Sequence, residues 1–557
     1  LADKQPQVDK GKNEELAKKL LQKHGVLKAI RSEKDELFRL CAEYFYPNRD
    51  DLYGTESTGK KKGMRIYDGT PGSALRTWSD GMQGYLISRS IRWFVLKMST
   101  ENLNEHPEVK QWLQELESIL YACAIRNKLY SQITPFFDDG GWHGSPTMFS
   151  EVDDAKKRII FTNGDPNFVW FSTDKYNEVD TWHRELKLTA RNALDKFGPD
   201  NVSDKILQAV ESGKGETEFE YLHCIYPNDK RDVTKIDAKN MPWASVYVEV
   251  SDNRVARQSG HRIKPAATWR VRKYGKGYGI SPAQDALVEA LKLNTFAKDN
   301  QHASHLMVSP SYNVPQELRG KASVLPGKYN YYGEDPNRLI SAIQSGIQLP
   351  AGIEQQQRVQ EAIERHFSVD FFLMLAHSER QKTAYEIMQL QGEKAILMGP
   401  KVGTFNEDYS DWSIDRMFHA EMEFGNLPPM PAVLEDYQGG EIDIDYVGPL
   451  AQAQKKLFAS QGISEGLESM KPVFEMFPSA IAKIKPEILI DEIAAATNFT
   501  QKAVVENEEY YAAMAQEQQM QQAMAQAEMA EKAASAVPKL QGKTQAGSPM
   551  ETLAEAI

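Results

Sequence analysis

Apolar residues recur at helical spacing over 14–44. Leu16, Leu20, Leu21, Leu27 and Ile30 fall there between charged positions and predict a first helix. A polar loop, "YPNRDDLYGTESTGKKKGMR", separates it from a second helix over 71–88, entered through Pro71. "IRWFVLKM" (91–98) reads as a strand. Residues 106–130 read as a third helix with Val109, Trp112, Leu113, Leu116 and Leu120 on one face. From 147 to 186 the period shortens. "RIIFT", "FVWFS" and "VDTWHREL" are strands between Gly, Asn and Asp turns. Thr189 is placed to cap a short helix ending at "KFGPD", and "FEYLHCIYP", "ASVYVEV" and "AATWRVRKY" add further strands. The first 280 residues are therefore expected to form a mixed α+β body.

The pattern shifts after "YGKGYG". Ser281 is a good N-cap, Pro282 suits the first helical position, and no breaker follows from 283 to 307. A helix over 282–306 would span ~37 Å at ~1.5 Å per residue. Its apolar stripe is narrow: Ala283, Ala286, Leu287, Ala290, Leu293 and Ala297. A second long helix is predicted over 352–373, where Val359, Ile363 and Phe367 form a thin seam. Between the two, 307–350 holds five prolines and the strand-like "KYNYY". This is a hairpin of two long helices with a small tip. Neither helix buries enough surface alone, so each needs its hairpin partner or the same helix in another subunit.

The next run, "LAHSERQKTAYEIMQLQGEK" (375–394), crowds His377, Ser378, Glu379, Arg380 and Lys382 together. Thr383 and Glu386 fit a capping box, in which the Thr hydroxyl accepts from the Glu N–H and the Glu side chain reaches back. The helix it opens, 384–398, is expected to stop at Gly399-Pro400. Another runs over 405–424 to "GNLPPMP". "IDIDYVGP" (442–449) reads as a strand and 450–512 as helical. Residues 512–535 are an Ala/Gln/Met/Glu tract of high helix propensity, and the last twenty or so are expected to be disordered. The fold class is α+β, predominantly helical.

At 557 residues the chain has room for about three or four folding units. A net charge of −12 argues against nucleic-acid binding over the whole surface, because phosphate affinity comes from clustered Lys and Arg. Cys41, Cys123 and Cys224 are odd in number, widely spaced and without a CxxC, which points to a reducing compartment and away from disulfides or a Cys-based zinc site. The polar N-terminal run shows no secretory signal, and no apolar run approaches the ~20 residues of a membrane span.

Candidate chemistry is sparse. "GTESTGKK" (54–61) nearly matches a phosphate-binding P-loop, but Lys61 stands where the magnesium-binding hydroxyl belongs and no apolar strand precedes it. "YGKGYG" (274–279) lacks the dinucleotide-binding spacing and is better read as a hinge or close-packing turn. His143 and Ser145 in "GWHGSPT" do not form a nucleophile elbow. His302 and His305 stand one helical turn apart without a carboxylate to complete a metal set. Asp443 and Asp445 share one face of a strand, as in two-metal nucleases, but a solvent face explains them equally well. No constellation amounts to a catalytic or metal site.

Five segments in order carry a resemblance. They are "YDGTPGSALRTWSDGMQGYLISRSIRWFVL" (67–96), "VDTWHRELKLTARNALDKFG" (179–198), "YGKGYGISPAQDALVEALKLN" (274–294), "KTAYEIMQLQGEKAILMGP" (382–400) and "IDIDYVGPLAQAQK" (442–455). Together they resemble the portal protein, or head-to-tail connector, of short-tailed bacteriophages, over most of 14–500. Gln389 replaces a usual basic residue and Asn192 a usual Gln.

The resemblance implies a ring of about twelve copies at one capsid vertex. It implies no enzyme activity and no cofactor. The implied partners are further copies of the chain, double-stranded DNA in the channel, the terminase large subunit, tail adaptor or head-completion proteins, and the capsid and scaffolding proteins, with no membrane. The implied location is the virion, after assembly in the host cytoplasm. The family parts fall on the pattern as follows: 1–280 as wing, 281–306 and 351–374 as the stem helices, 307–350 as clip, 375–383 as tunnel loop, 384–440 as further wing helices, 441–511 as crown and 512–557 as a helical tail that could extend the crown as a barrel. His377, Arg380 and Lys382 would then face DNA in the channel, with Thr383 and Glu386 capping the helix behind them. Leu287, Ala290, Val359 and Ile363 would pack the stem. The competing readings are another head-completion or tail adaptor protein, or a DNA-processing enzyme using 54–61 or Asp443/Asp445.

Overall fold

The structure is a computed structural model. It describes residues 10–47, 66–373, 396–435 and 441–449, with breaks at 154, 236, 276, 315, 317–318, 321–322, 324–328, 330–339 and 343–348, and short stretches within 469–477 and at 520. The chain divides into two compact units, Leu1–Ala453 and Gln454–Ile557. All the described strands lie in the first.

Helix α1 (Lys10–Phe45) is the helix expected over 14–44. Its first half lays Ala17 and Leu20 on a five-stranded antiparallel sheet, against Leu222, Cys224, Val246 and Val248. That sheet has the order β4-β5-β6-β7-β8, from β4 (Val169–Thr173), β5 (Val179–Thr189), β6 (Glu218–Pro227), β7 (Trp243–Glu249) and β8 (Arg254–His261). Side chains alternate across it. Tyr221 and Tyr247 point the other way, onto Ala193, Phe197 and Ile206 of the short helices α5 (Ala190–Phe197) and α6 (Asp204–Glu211). Thr189 caps α5 as the sequence indicated, accepting from the Asn192 N–H. The second half of α1 puts Phe38, Cys41 and Phe45 into the main core.

Arg31 fixes α1 where its two halves change neighbours. Its guanidinium donates to the carbonyls of Pro166, Val169 and Asn167 at 2.8, 3.1 and 2.9 Å and to Asp35 at 2.9 Å. It also lies 4.2 Å from the centre of the Trp170 ring. A buried cation is tolerated when its donors are spent in this way.

The main core sits under helices α2 (Thr70–Leu86), α3 (Pro107–Arg126) and α4 (Leu129–Trp142) and a three-stranded sheet, β3-β2-β9, of β2 (Thr147–Asp153), β3 (Arg158–Gly164) and β9 (Ala266–Thr268). Aromatic rings fill it. Trp78 stacks on Trp269 at 6.2 Å, and Phe136, Phe137 and Phe405 pack around the same indole.

Strand β1 (Phe94–Met98) pairs antiparallel with β12 (Ile442–Tyr446), almost 350 residues later, with Phe94 opposite Tyr446. Its other edge is closed by side chains instead of a strand. Tyr121 Oη accepts from the Trp93 and Phe94 N–H groups at 2.8 and 2.9 Å, Glu117 from Leu96 at 2.9 Å, and Asn104 from Met98 at 2.8 Å. An exposed edge with free N–H groups invites mispairing, and these three side chains remove the donors.

Several expectations need correction. The helix over 106–130 ends at Arg126. Lys128 adopts a left-handed conformation (φ +56°), and α4 begins at Leu129, a helix the pattern did not indicate. It holds Pro135, Gly140 and Gly141, all unfavourable in helices, but a side chain at Gly141 would strike Leu75 and Trp78 of α2. Close packing overrides propensity here. "AATWRVRKY" yields only the three-residue β9, whereas β8 was missed. The helix expected over 384–398 does not stop at Gly399-Pro400. Residues 396–405, here α11, continue through Pro400, then through a π-turn at Asn406–Ser410, into α12 (Asp411–Glu423). Proline forfeits one backbone bond, but Met398, Val402 and Phe405 are buried in the core and hold the helix there. The stop at "GNLPPMP" is correct. Gly425 N–H bonds Met422 O and Asn426 N–H bonds Glu421 O, closing the helix in a Schellman motif. A short helix, α13 (Ala432–Glu435), follows.

Candidate functional site: the root of the helical hairpin

The long helix expected over 282–306 starts as the sequence indicated. Ser281 accepts from the Gln284 N–H and Pro282 opens the first turn, α7 (Pro282–Asp285). It is not continuous. Ala286 leaves helical geometry at ψ 2°, and α8 (Leu287–Val308) carries on. The second long helix is α9 (Leu349–His366). It ends before a left-handed Ser368 (φ +53°) and a short α10 (Val369–Phe372). Between α8 and α9 a small ribbon pairs β10 (Tyr312–Asn313) with β11 (Ser341–Ala342).

Two motifs that looked like chemistry meet at the root of α7. Ser145 Oγ accepts from the Gly279 N–H at 2.7 Å, and Ser281 Oγ donates to Trp142 O at 2.9 Å. Gln284 Nε2 donates to His143 O at 3.1 Å. Gly144 sits at φ +86°, and a Cβ there would lie 2.7 Å from Ser281 N. A Cβ on Gly279 would lie 2.5 Å from Gly144 O. "GWHGSPT" and "YGKGYG" are thus two halves of one backbone-to-backbone junction, the close-packing turn preferred over a dinucleotide site. His143 is fully enclosed, 4.1 Å from the Phe38 ring. Burial, with Arg31 adding to it, pushes its pKa well below the usual histidine range, so it is neutral.

A second polar node joins the hairpin to α2. Asp68 Oδ1 accepts from the Thr70 N–H and hydroxyl at 2.9 and 2.6 Å. Its Oδ2 accepts from Gln356 and Gln360, both on α9, each at 2.8 Å. Asn300 of α8 donates to Gln356 Oε1 at 2.9 Å, and Asn294 Oδ1 accepts from the Tyr67 N–H at 2.8 Å. Burial raises the Asp68 pKa, but the hydrogen bonds from Thr70, Gln356 and Gln360 together outweigh it, and the carboxyl titrates below its ordinary value. Further along α2, a side chain at Gly81 would strike the Phe372 ring.

Leu287, Ala290 and Ile363 are buried, and Val359 is half-buried against the same core. The chain itself covers these four positions. What it leaves exposed on the hairpin is a different apolar set: Val288, Leu291, Met307 and Val308 on α8 and Ile353 on α9. His302 and His305 are exposed. Asp445 is paired with Lys97 Nζ at 2.7 Å, and Asp443 lies opposite Lys97 in the ladder. Among the described residues no group of His, Cys, Asp and Glu is placed to hold a metal. The three cysteines are buried and unbridged, and burial raises the Cys41 and Cys123 thiols to about 12. His377, Arg380, Lys382, Thr383 and Glu386 lie outside the described residues, as does 54–61.

Asp68, Gln356, Gln360 and Arg31 were missed. Two signals for the first three are present in the sequence: an Asp two positions before Thr70 at a helix start, and the spacing of four between the glutamines. Neither says that the two meet.

A family model described as bacteriophage head to tail connecting protein matches residues 17–505. The chain belongs to that family. The connector is 27 % identical over 482 residues to the probable portal protein of Bordetella phage BPP-1, covering 85 % of this chain and 84 % of that protein. It is 27 % identical over 516 residues to the portal protein of Salmonella phage epsilon15, covering 90 % and 89 %. The head-to-tail connector family is structural rather than enzymatic, which suits a site built from packing junctions. No helix among the described residues is long and apolar enough to cross a membrane.

Proposed function

We propose that this connector is the portal of its phage: a ring of about twelve copies at one capsid vertex through which DNA enters during packaging and leaves at infection. The observation that carries this reading is the pair of long packed helices, α8 and α9, bracketing the β10–β11 ribbon. A portal needs a clip between two stem helices, and a tail adaptor lacks one. The exposed Val288, Leu291, Met307 and Val308 support it further, as contacts for the neighbouring copy.

In this assignment 1–280 and 384–440 are wing, 281–306 and 351–374 stem, 307–350 clip, 375–383 tunnel loop, 441–511 crown and 512–557 tail. The first crown strand, β12, is shared with the body through β1. The partners are other copies, the duplex, the terminase large subunit, tail adaptor proteins and the capsid and scaffolding proteins, at the head-tail junction of the virion. The net charge of −12 suits a channel along which a duplex slides without sticking, with His377, Arg380 and Lys382 for transient phosphate contacts.

The test is a phage carrying Arg380→Ala and Lys382→Ala. Rings are expected to assemble in negative stain, with packaging or DNA retention altered. Unchanged packaging and retention would remove the tunnel-loop assignment, and absence of rings from the unaltered protein would remove the portal reading itself.

A further inference from the structure

The apolar row by which α9 packs is nearly blind to its own axial position. Val359, Ile363 and Phe367 are spaced by four, so a slide of one turn puts Ile363 where Val359 lay and Phe367 where Ile363 lay. A seam of this kind needs polar groups to fix its register, as a single buried polar residue does in a coiled coil.

We propose that Asp68 and Asn300 are the positioning residues that hold α9 in a single register. A second row on α9, also spaced by four, reads Gly352, Gln356, Gln360, Glu364. Asp68 Oδ2 takes both amides of this row, at 2.8 Å each. A slide of one turn in one direction brings Glu364 to the carboxylate and replaces a hydrogen bond with repulsion between like charges. A slide in the other direction brings Gly352, which has no side-chain donor. Asn300 reads the same row from α8. It donates to Gln356 at 2.9 Å and lies where a side chain at 352 would stand, so a residue other than glycine brought opposite it would push the amide out of this bond. The left-handed Ser368 ends the helix before α10, so the contact of Phe372 with Gly81 holds α10 and not the register of α9. Asp68 is itself fixed, because its other oxygen is bonded to Thr70 at the start of α2.

The register of α9 rests on these contacts alone and not on the portal reading.

The experiment places spin labels at Arg76→Cys on α2 and Gln357→Cys on α9, both exposed positions. The three native cysteines are buried and stay unlabelled. Labelled chains are diluted with unlabelled ones, so the distance is read within one chain whether or not a ring forms. The unaltered register is expected to give one distance. Asp68→Ala with Asn300→Ala is expected to add a second population, displaced by up to about 5.4 Å, one helical turn. Gln356→Ala and Gln360→Ala combined with Asn300→Ala remove the amides that Asp68 reads and the Asn300 contact, leaving only the Glu364 repulsion, so a second population displaced in the direction that moves Glu364 away from Asp68 is expected in this glutamine variant. A single native distance in the glutamine variant overturns the proposal, whether or not the first variant folds.

Discussion

Ser145 accepts a 2.7 Å hydrogen bond from the Gly279 N–H across 134 residues of sequence, and that contact ties the first turn of the long hairpin to the body. Ser145→Ala leaves a buried N–H without its partner and is expected to cost about 1–3 kcal/mol in chemical denaturation. Gly279→Ala is expected to cost more, because its Cβ would lie 2.5 Å from Gly144 O and 3.0 Å from Arg270 Cα, both backbone atoms. Equal midpoints for the serine variant and the parent would contradict the junction.

Arg31 predicts a larger loss. Arg31→Met keeps the aliphatic stem but leaves the Pro166, Asn167 and Val169 carbonyls without their donor and Asp35 without its buried partner. Removing one member of a buried ion pair costs about 3–5 kcal/mol. Arg31→Lys is expected to recover little, since an ammonium cannot reach three diverging carbonyls and a carboxylate together. Thermal unfolding of the two variants beside the parent measures this.

Asp68 makes a prediction about acid. Its folded pKa lies below the unfolded value of 3.8, so its ionised form adds stability above that value, and this is lost as pH falls through the folded pKa. Asp68→Asn has no such titration. The stability gap between parent and variant should be widest near neutral pH and narrow below about pH 4. A gap independent of pH would show that folding does not lower the pKa of this carboxyl.

The Lys97–Asp445 pair sits on an exposed ribbon, and Lys97→Ala is expected to change stability by only about 0.2–1 kcal/mol. If Asp443 and Asp445 are strand surface and not a metal site, Asp443→Asn with Asp445→Asn should leave packaging unchanged. Magnesium or manganese should not raise the melting temperature of the parent. Metal-dependent DNA cleavage abolished by the double variant would reverse that conclusion.

Local signals were legible in the sequence. Ser281-Pro282, Thr189 and the Gly425 stop each specify a helix end through the residue itself, and all three stand where expected. What was illegible depends on distant partners. Helix α4 survives Gly140 and Gly141 only because α2 and Trp269 pack against them, and α11 survives Pro400 because the core holds it. The pairing of β1 with β12 and the sealing of β1 by Tyr121 and Glu117 join segments whose sequences carry no mark of each other. At the hairpin root, the two glycine runs were visible as turns, but that they are one junction became apparent only in three dimensions. The apolar seam of the long hairpin was visible too. That the chain buries it itself, with Val288 and Leu291 left exposed, was not.

The mass of the assembled protein in solution bears most directly on the portal reading. Native mass spectrometry of the full chain is predicted to give a closed ring at about twelve times the subunit mass of 63.0 kDa. A single-chain mass, together with metal-dependent cleavage of DNA or hydrolysis of ATP, would contradict it.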